Sequence, residues 1–301
     1  MNTTELNIPH HLYPFRGKFL DRSGLALHYL DEGSGDPIVM VHGNPSWSIY
    51  YRALVQGISN SYRCIVPDHI GCGLSDKPDD EHYEYRLKNR VDDLEALIIE
   101  TCPAEKKITL VAHDWGGMIA MAVAARHPER IGRIVLLNTA AFHLPAEMAL
   151  PTSIAALRNT PLGSCAVRGF NAFARGAARV GCKKNPMSKA RQRAYCAPYN
   201  NWSNRIATLR FIEDIPVSPR DISYSLVSEV ESSLPLFSKV PILLCWGMKD
   251  FVFNGRVLQE FRERWPHAEV CQLDDCGHYV LEDAPTEVVP RIRKFLEEHP
   301  L

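Results

Sequence analysis

Residues 108–117 read ITLVAHDWGG, an apolar, partly β-branched run that passes straight into Asp114. Beyond Asp114, Met118, Met121, Ala122 and Ala125 recur at helical spacing. A buried strand that turns into a helix through one residue, with small Ala112 and Gly116 two positions either side, forms a nucleophile elbow. The small flanks allow the sharp bend that lifts the central side chain above the sheet. The usual elbow is G-x-S-x-G, whereas here the first glycine is alanine and the nucleophile position holds aspartate. That exchange changes the chemistry: a carboxylate attacks an electrophilic carbon to give an enzyme ester, whose carbonyl is itself open to later attack by water. Serine-esterase turnover through this elbow is excluded. The competing role for Asp114 is structural, as a side-chain cap on the helix that starts at Trp115.

Working outward, short apolar runs bounded by turn residues flank the elbow on both sides: Pro37 to His42, Tyr62 to Pro67, Ile134 to Asn138, Ile242 to Trp246 and Glu269 to Leu273. Such runs suit strands buried on both faces of a mostly parallel sheet. Leu87, Val91, Leu94 and Ile98 fall at helical spacing between them, so the alternation is βαβα and the class is α/β. Near the start, KFLDRSGLALHYLDEG holds a turn at Arg22 to Gly24 between two alternating segments, which predicts an antiparallel hairpin at one edge. The alternation stops near Ala140 and resumes near Val240. Residues 1–139 and 240–301 are therefore expected to form one core, and residues 140–239, rich in Ala, Gly, Arg and Pro, a helical cap inserted into it.

The bulk properties agree with a catalytic domain and little else. In 301 residues, 46% are hydrophobic and 23% charged, an ordinary globular composition. The formal net charge of −1 gives no global case for nucleic acid or membrane binding. No signal-peptide pattern and no run long enough to span a membrane is present, so a cytoplasmic location is expected. Nine scattered cysteines form neither a disulfide framework nor a zinc pattern, and no cofactor motif occurs. Charge is uneven in one place: Arg158 through Arg210 carries eleven Lys or Arg and no Asp or Glu. A solvated basic face accounts for such a run; a docking site for an acidic partner or anionic ligand is the sharper alternative.

Two further residues complete the expected catalytic set. His278, in DDCGHYVLEDAP, follows the last strand-like run and precedes the terminal helix, the place of the base in the chain order nucleophile, acid, histidine. Its orienting acid can follow either the sixth or the seventh strand. Asn138 and its neighbours offer no carboxylate, whereas LLCWGMKDFVF supplies Asp250. Asp250 should accept a hydrogen bond from one imidazole nitrogen and leave the other basic. HGNPSW at residues 42–47 follows the third strand, where half of an oxyanion hole belongs, with the Trp115 backbone N–H as the other half. Asn44 and Trp115 also carry neutral side-chain donors expected to face the cavity above Asp114 and to hold a departing anion.

The set HGNPSW, PDHIGCGLSDKP, AHDWGG, WGMKDF and GHYVLED resembles the haloalkane dehalogenase superfamily of the α/β-hydrolase fold, in the branch with an Asp, His, Asp triad and an Asn/Trp leaving-group pair. The resemblance spans nearly the whole chain and implies a mostly parallel eight-stranded sheet. HGNPSWSIYYR, with FIEDIP and CWGMKDFVF, is most similar to the β-lactone decarboxylases of bacterial long-chain olefin biosynthesis. That likeness implies a hydrophobic small-molecule substrate, a cis-alkene and CO2 as products, and assembly with other olefin-biosynthesis enzymes such as β-lactone synthetase. Haloalkane dehalogenation is the alternative chemistry. Epoxide hydrolysis stands third: it needs proton donors to the ring oxygen, for which Tyr195, Tyr199 and Tyr224 are available.

Overall fold

The computed structural model describes residues 6–145, 148, 150–158 and 160–301. Residues 1–5 of the expected core and residues 146, 147, 149 and 159 of the expected cap lie outside the described set. Eight strands form one sheet: β1 (Lys18–Arg22), β2 (Leu25–Glu32), β3 (Pro37–Val41), β4 (Arg63–Pro67), β5 (Ile108–Asp114), β6 (Ile131–Thr139), β7 (Ile242–Gly247) and β8 (Glu269–Leu273). Their spatial order is β1-β2-β4-β3-β5-β6-β7-β8. The β1–β2 hairpin and the β2–β4 pair are antiparallel, and every later pair is parallel. Ser23 and Gly24 turn the hairpin with positive φ, as the tight turn predicts.

The parallel strands are apolar along their whole length because each face of the sheet is covered. Val39 and Val41 of β3, with Leu110 and Ala112 of β5, enter one core cluster, whereas Ile38, Met40 and Val111 enter the other. Alternate side chains therefore point to opposite dry layers. Helices α1 (Arg52–Ile58), α2 (Leu87–Thr101) and α3 (Trp115–Arg126) connect the early parallel strands. Leu87, Val91, Leu94 and Ile98 form the buried stripe of α2.

Topology places the site. From β3 the chain steps outward to β4, then crosses back to β5 on the opposite side of β3. The crevice beyond the carboxyl ends of β3 and β5 is the switch point where open α/β sheets bind ligands. Asn44 follows β3, Asp114 ends β5, Asn138 lies at the end of β6, and the turn bearing Asp250 follows β7. Between β6 and β7 the described residues form helices and no strand. Two of these helices, Ala172–Val180 and Ile206–Glu213, contribute walls to the cavity above that crevice.

Candidate active site

Asp114 sits at the bend between β5 and α3 with φ 54° and ψ −130°, a left-handed conformation that an L side chain adopts only when its surroundings impose it. The bend is tight enough that a Cβ on Gly116 would lie 2.0 Å from the Val41 carbonyl oxygen. The Asp114 side chain makes no cap on α3. Instead the backbone N–H of Asn44 donates to its Oδ1 at 2.7 Å. A Cβ at Gly43 would come within 2.1 Å of that same Oδ1, so glycine there lets the β3 loop close over the carboxylate. The HGNPSW half of the expected oxyanion hole thus already holds one oxygen of Asp114.

Its other oxygen, Oδ2, lies 3.5 Å from His278 Nε2. His278 Nδ1 donates to Asp250 Oδ2 at 2.7 Å. Asp250 Oδ1 accepts from the Val252 backbone N–H at 2.8 Å, which fixes the carboxylate in the turn after β7. All five residues expected from the sequence, Asp114, His278, Asp250, Asn44 and Trp115, therefore meet at one place, and four of them line one cavity. Burial raises the Asp114 carboxyl pKa, opposed in part by the His278 charge and by the nearby Trp115 and Asn44 backbone N–H groups. For His278, burial alone would depress the imidazole, but the charges of Asp250 and Asp114 outweigh it and the pKa is raised.

The cavity measures about 720 Å³. Its floor carries Asp114, Asn44, Trp115 and His278, and its walls are mainly apolar, among them Met118, Phe173, Ile212 and Val227. Such a volume, with few convergent polar groups, suits a hydrophobic small molecule. The Asn44 carboxamide departs from the expectation in one respect. Its Nδ2 donates to the backbone oxygen of Thr208 at 3.1 Å, so one of its two N–H groups is engaged by the helix Ile206–Glu213 and only the second is left for a ligand. The Trp115 indole N–H makes no hydrogen bond among the described residues.

Three contributors to the site carried little sequence signal. Asn138, passed over for lacking a carboxylate, donates from Nδ2 to both Asp250 Oδ2 and the Gly247 carbonyl at 3.0 Å, and its Oδ1 accepts from the Gly247 N–H at 2.8 Å. It ties β6 to the acid's turn. His113 donates from Nε2 to the His278 backbone oxygen at 3.0 Å, and burial together with the neighbouring His278 charge holds it neutral. Thr208 acts through a main-chain carbonyl, which no side-chain motif reveals. Of the three cap tyrosines, Tyr195 donates to Glu282 Oε1 at 2.6 Å and Tyr199 to the Ser46 carbonyl at 3.1 Å. Only Tyr224 of these three lines the cavity.

A sequence profile described as the alpha/beta hydrolase fold matches residues 36–285. A cis-3-alkyl-4-alkyloxetan-2-one decarboxylase from Shewanella oneidensis is 58% identical, over 95% of this chain and 90% of the relative. A protein of the same name from Xanthomonas campestris pv. campestris is 49% identical, over 96% and 98%. Among solved structures, haloalkane dehalogenase DbeA from Bradyrhizobium elkani superposes with a TM-score of 0.83 at 26% identity, covering 94% of this chain and 98% of that one.

Proposed function

The chain belongs to the α/β-hydrolase fold family, among relatives that include β-lactone decarboxylases and haloalkane dehalogenases, and from that premise we propose that it is a cis-3-alkyl-4-alkyloxetan-2-one decarboxylase. The observation that carries the chemistry is the division of labour within one carboxylate: Oδ1 held by the Asn44 backbone N–H, Oδ2 facing His278 and the cavity. Asp114 Oδ2 attacks the ring carbon that bears the lactone oxygen, and the C–O bond breaks to release a substrate carboxylate. The Asn44 amide and Trp115 indole donors receive that anion. The C–C bond to the carboxylate then breaks, its electron pair forms the alkene, and Asp114 departs with the electrons of the ester C–O bond. Carbon dioxide and alkene leave, and the nucleophile is restored without water.

Stereochemistry follows from those steps. Displacement inverts the attacked carbon and anti fragmentation of the ester inverts the relationship again, so a cis-disubstituted lactone gives a cis-alkene. Asp250 orients His278, and the inserted residues 140–239 form the cap over the reacting atoms. Each well-aimed donor at the developing charge is worth about 3 kcal/mol in a dry site.

Dehalogenation is the second reading, favoured by the same Asn44/Trp115 pair: halide would replace the departing carboxylate and His278 would activate water against the enzyme ester. Epoxide opening keeps only Tyr224 of its three candidate proton donors, since Tyr195 and Tyr199 are bound elsewhere, and the Asn44/Trp115 pair argues against it. A cytoplasmic setting draws its support from nine free thiols. Assembly with β-lactone synthetase draws its support only from the acid-free run Arg158 to Arg210. The test supplies a cis-3,4-dialkyl β-lactone and, separately, a brominated alkane, and measures alkene, CO2 and bromide. Alkene that disappears in Asp114→Ala supports the decarboxylase; bromide release with no alkene from the lactone would overturn it.

A further inference from the structure

The cavity reaches solvent where Val180, Val217 and Phe251 both line it and stand 47%, 52% and 48% exposed. An apolar rim left in water is unusual unless something covers it. The helix Ala172–Val180 forms part of this rim. Ala172, Phe173, Gly176, Ala177 and Val180 line the cavity, and at 3.6 residues per turn they occupy an arc of about 140°. Arg175 and Arg179 fall on the adjoining edge of the same helix, exposed, and form no ion pair or side-chain hydrogen bond among the described residues.

The chain just before this helix extends the pattern. Arg205 donates to the carbonyls of Arg168 and Gly169 at 2.6 and 2.9 Å, and the Arg168 guanidinium lies 4.7 Å over the Trp202 ring. These contacts bring Phe170, 69% exposed, and Trp202, 48% exposed, onto one surface with the arginines. Arg205 has its pKa lowered by burial and by the like charge of nearby Arg175. The run Arg158 to Arg210 has no acid of its own on a chain whose net charge is −1; Arg158, Lys184, Arg191 and Arg210 pair with acids from elsewhere and Asp80 acts on Arg168, whereas Arg175 and Arg179 stay unpaired among the described residues. Global electrostatics would not draw such a protein to an anionic surface; this local face would.

We propose that the cap face formed by Arg168, Phe170, Arg175, Arg179 and Trp202, with the apolar rim beside it, docks on an anionic lipid bilayer so that the cavity mouth opens toward the lipid. Basic residues meet headgroups while the exposed aromatic and aliphatic side chains enter the interface, the arrangement of interfacial helices generally. An acidic protein would answer the charges but leaves the interleaved Phe170, Trp202 and rim unexplained. The choice of lipid over protein rests in part on the decarboxylase reading, because a lactone with two alkyl arms partitions into bilayers and reaches a mouth set against one.

Vesicle co-sedimentation tests this without turnover. Vesicles of phosphatidylcholine containing about one third phosphatidylglycerol should bind the full chain, and phosphatidylcholine alone should bind it weakly; raising salt from about 0.1 to about 0.5 M should release it. At about fivefold per basic residue near such a surface, Arg175→Ala/Arg179→Ala should weaken binding roughly 25-fold. Phe170→Ser should weaken it in a way salt does not mimic, and Lys106→Ala/Lys107→Ala, on the sheet domain, should leave it unchanged. No preference for anionic vesicles at low salt, or wild-type binding by the arginine variant, overturns the proposal. So does retention on an acidic protein or polyglutamate, lost in the arginine variant, by a chain that ignores vesicles; the face then belongs to a protein partner. A chain that docks but makes no alkene sinks the decarboxylase reading and leaves docking intact, and a decarboxylase that never docks does the reverse.

Discussion

Asp114 and Glu282 are both nearly inaccessible to solvent, yet their surroundings treat the two carboxylates in opposite ways. Glu282 receives Arg52 through a two-point contact, one arm at 2.7 Å, together with Arg191 at 3.0 Å and the Tyr195 hydroxyl at 2.6 Å. Burial alone would raise its pKa, but Arg52 and the other donors outweigh burial and lower it. Asp114 has a single backbone donor, on Oδ1, and its second oxygen faces an imidazole beyond good hydrogen-bond length and an apolar cavity. Its pKa is raised. A carboxylate saturated with donors is an anchor; one left with a bare, desolvated oxygen at a cavity is placed to attack a ligand there. The same fold builds both, so burial by itself says nothing about role.

The sharpest way to break this contrast is to remove each carboxylate in turn. Asp114→Ala should lower alkene formation by at least about 10⁴-fold, since deletion of a covalent nucleophile removes the pathway. Its charge contribution to the melting temperature at neutral pH should be a gain, set against the strain of an alanine at φ 54°. A raised carboxyl pKa means the folded state disfavours the charged form: relative to an ordinary carboxylate its stability is greatest below pH 3.8 and is lost as pH rises through the folded pKa. Any gain from the variant should therefore be largest at neutral pH and shrink on acidification. A variant that unfolds at neutral pH would mark Asp114 as structural.

His278→Ala separates the two chemistries that share the site. Hydrolysis of an alkyl-enzyme ester needs a base, so bromide turnover from a bromoalkane should fall by roughly 10³-fold and leave a mass adduct on Asp114. Fragmentation to alkene needs no water and should fall far less. The pH profiles should differ in wild type as well. Steady-state bromide release requires neutral His278, whose pKa is raised, so its acid limb should lie above pH 6.5. Alkene formation requires only ionised Asp114, and its limb should lie lower. Coincident limbs, or equal losses in His278→Ala, would show that both reactions depend on the imidazole as base.

Glu282→Gln tests the other half of the comparison. Arg191 and Tyr195 come from the helix Lys189–Cys196 between β6 and β7, whereas Arg52 belongs to α1, so Glu282 fastens one to the other. Its removal leaves two largely buried guanidinium groups without their counter-ion, at a cost of roughly 3–5 kcal/mol. Because the Glu282 pKa is lowered, the stability it contributes is present above pH 4.5 and lost as pH falls through the folded pKa. Thermal unfolding should show the largest wild-type advantage near neutral pH and convergence in acid. Unchanged melting would mean that the cluster holds nothing together.

The carboxylate proposed as nucleophile was legible in the sequence, and the anchoring one was not. ITLVAHDWGG displays strand, bend and helix within ten residues, and the chain order of Asp114, Asp250 and His278 reflects a sheet that collects its functional loops at one end. Such signals are local or topological. The partners of Glu282 come from positions 52, 191 and 195, and the Thr208 carbonyl that engages Asn44 is a main-chain atom 164 residues away. Contacts of that kind depend on how the inserted helices seat on the sheet, which residue periodicity does not encode. The hairpin and the six other strands were predictable because alternation and dry β-branched runs are periodic; only their ends moved, most at β6, which begins at Ile131 rather than Ile134.

Asn138 offers the finest test because it sits between the two kinds of residue. It touches no substrate, yet it holds Asp250 Oδ2, the same oxygen that receives the His278 Nδ1 hydrogen. Its φ of 32° lies in the left-handed region, so Asn138→Gly removes the carboxamide without adding backbone strain, whereas Asn138→Ala would add some. A hydrogen bond to a charged group contributes about 1.5–3 kcal/mol, and loss of part of that from the acid's geometry predicts a decrease in kcat of about tenfold with KM little changed. A purely structural residue would give that loss and nothing more. With one donor gone, Asp250 carries more of its charge toward the imidazole and His278 binds its proton more tightly, so the acid limb of bromide release should move to higher pH. A kcat loss with the limb unmoved would place Asn138 in the framework of β6 and deny it a part in setting the base.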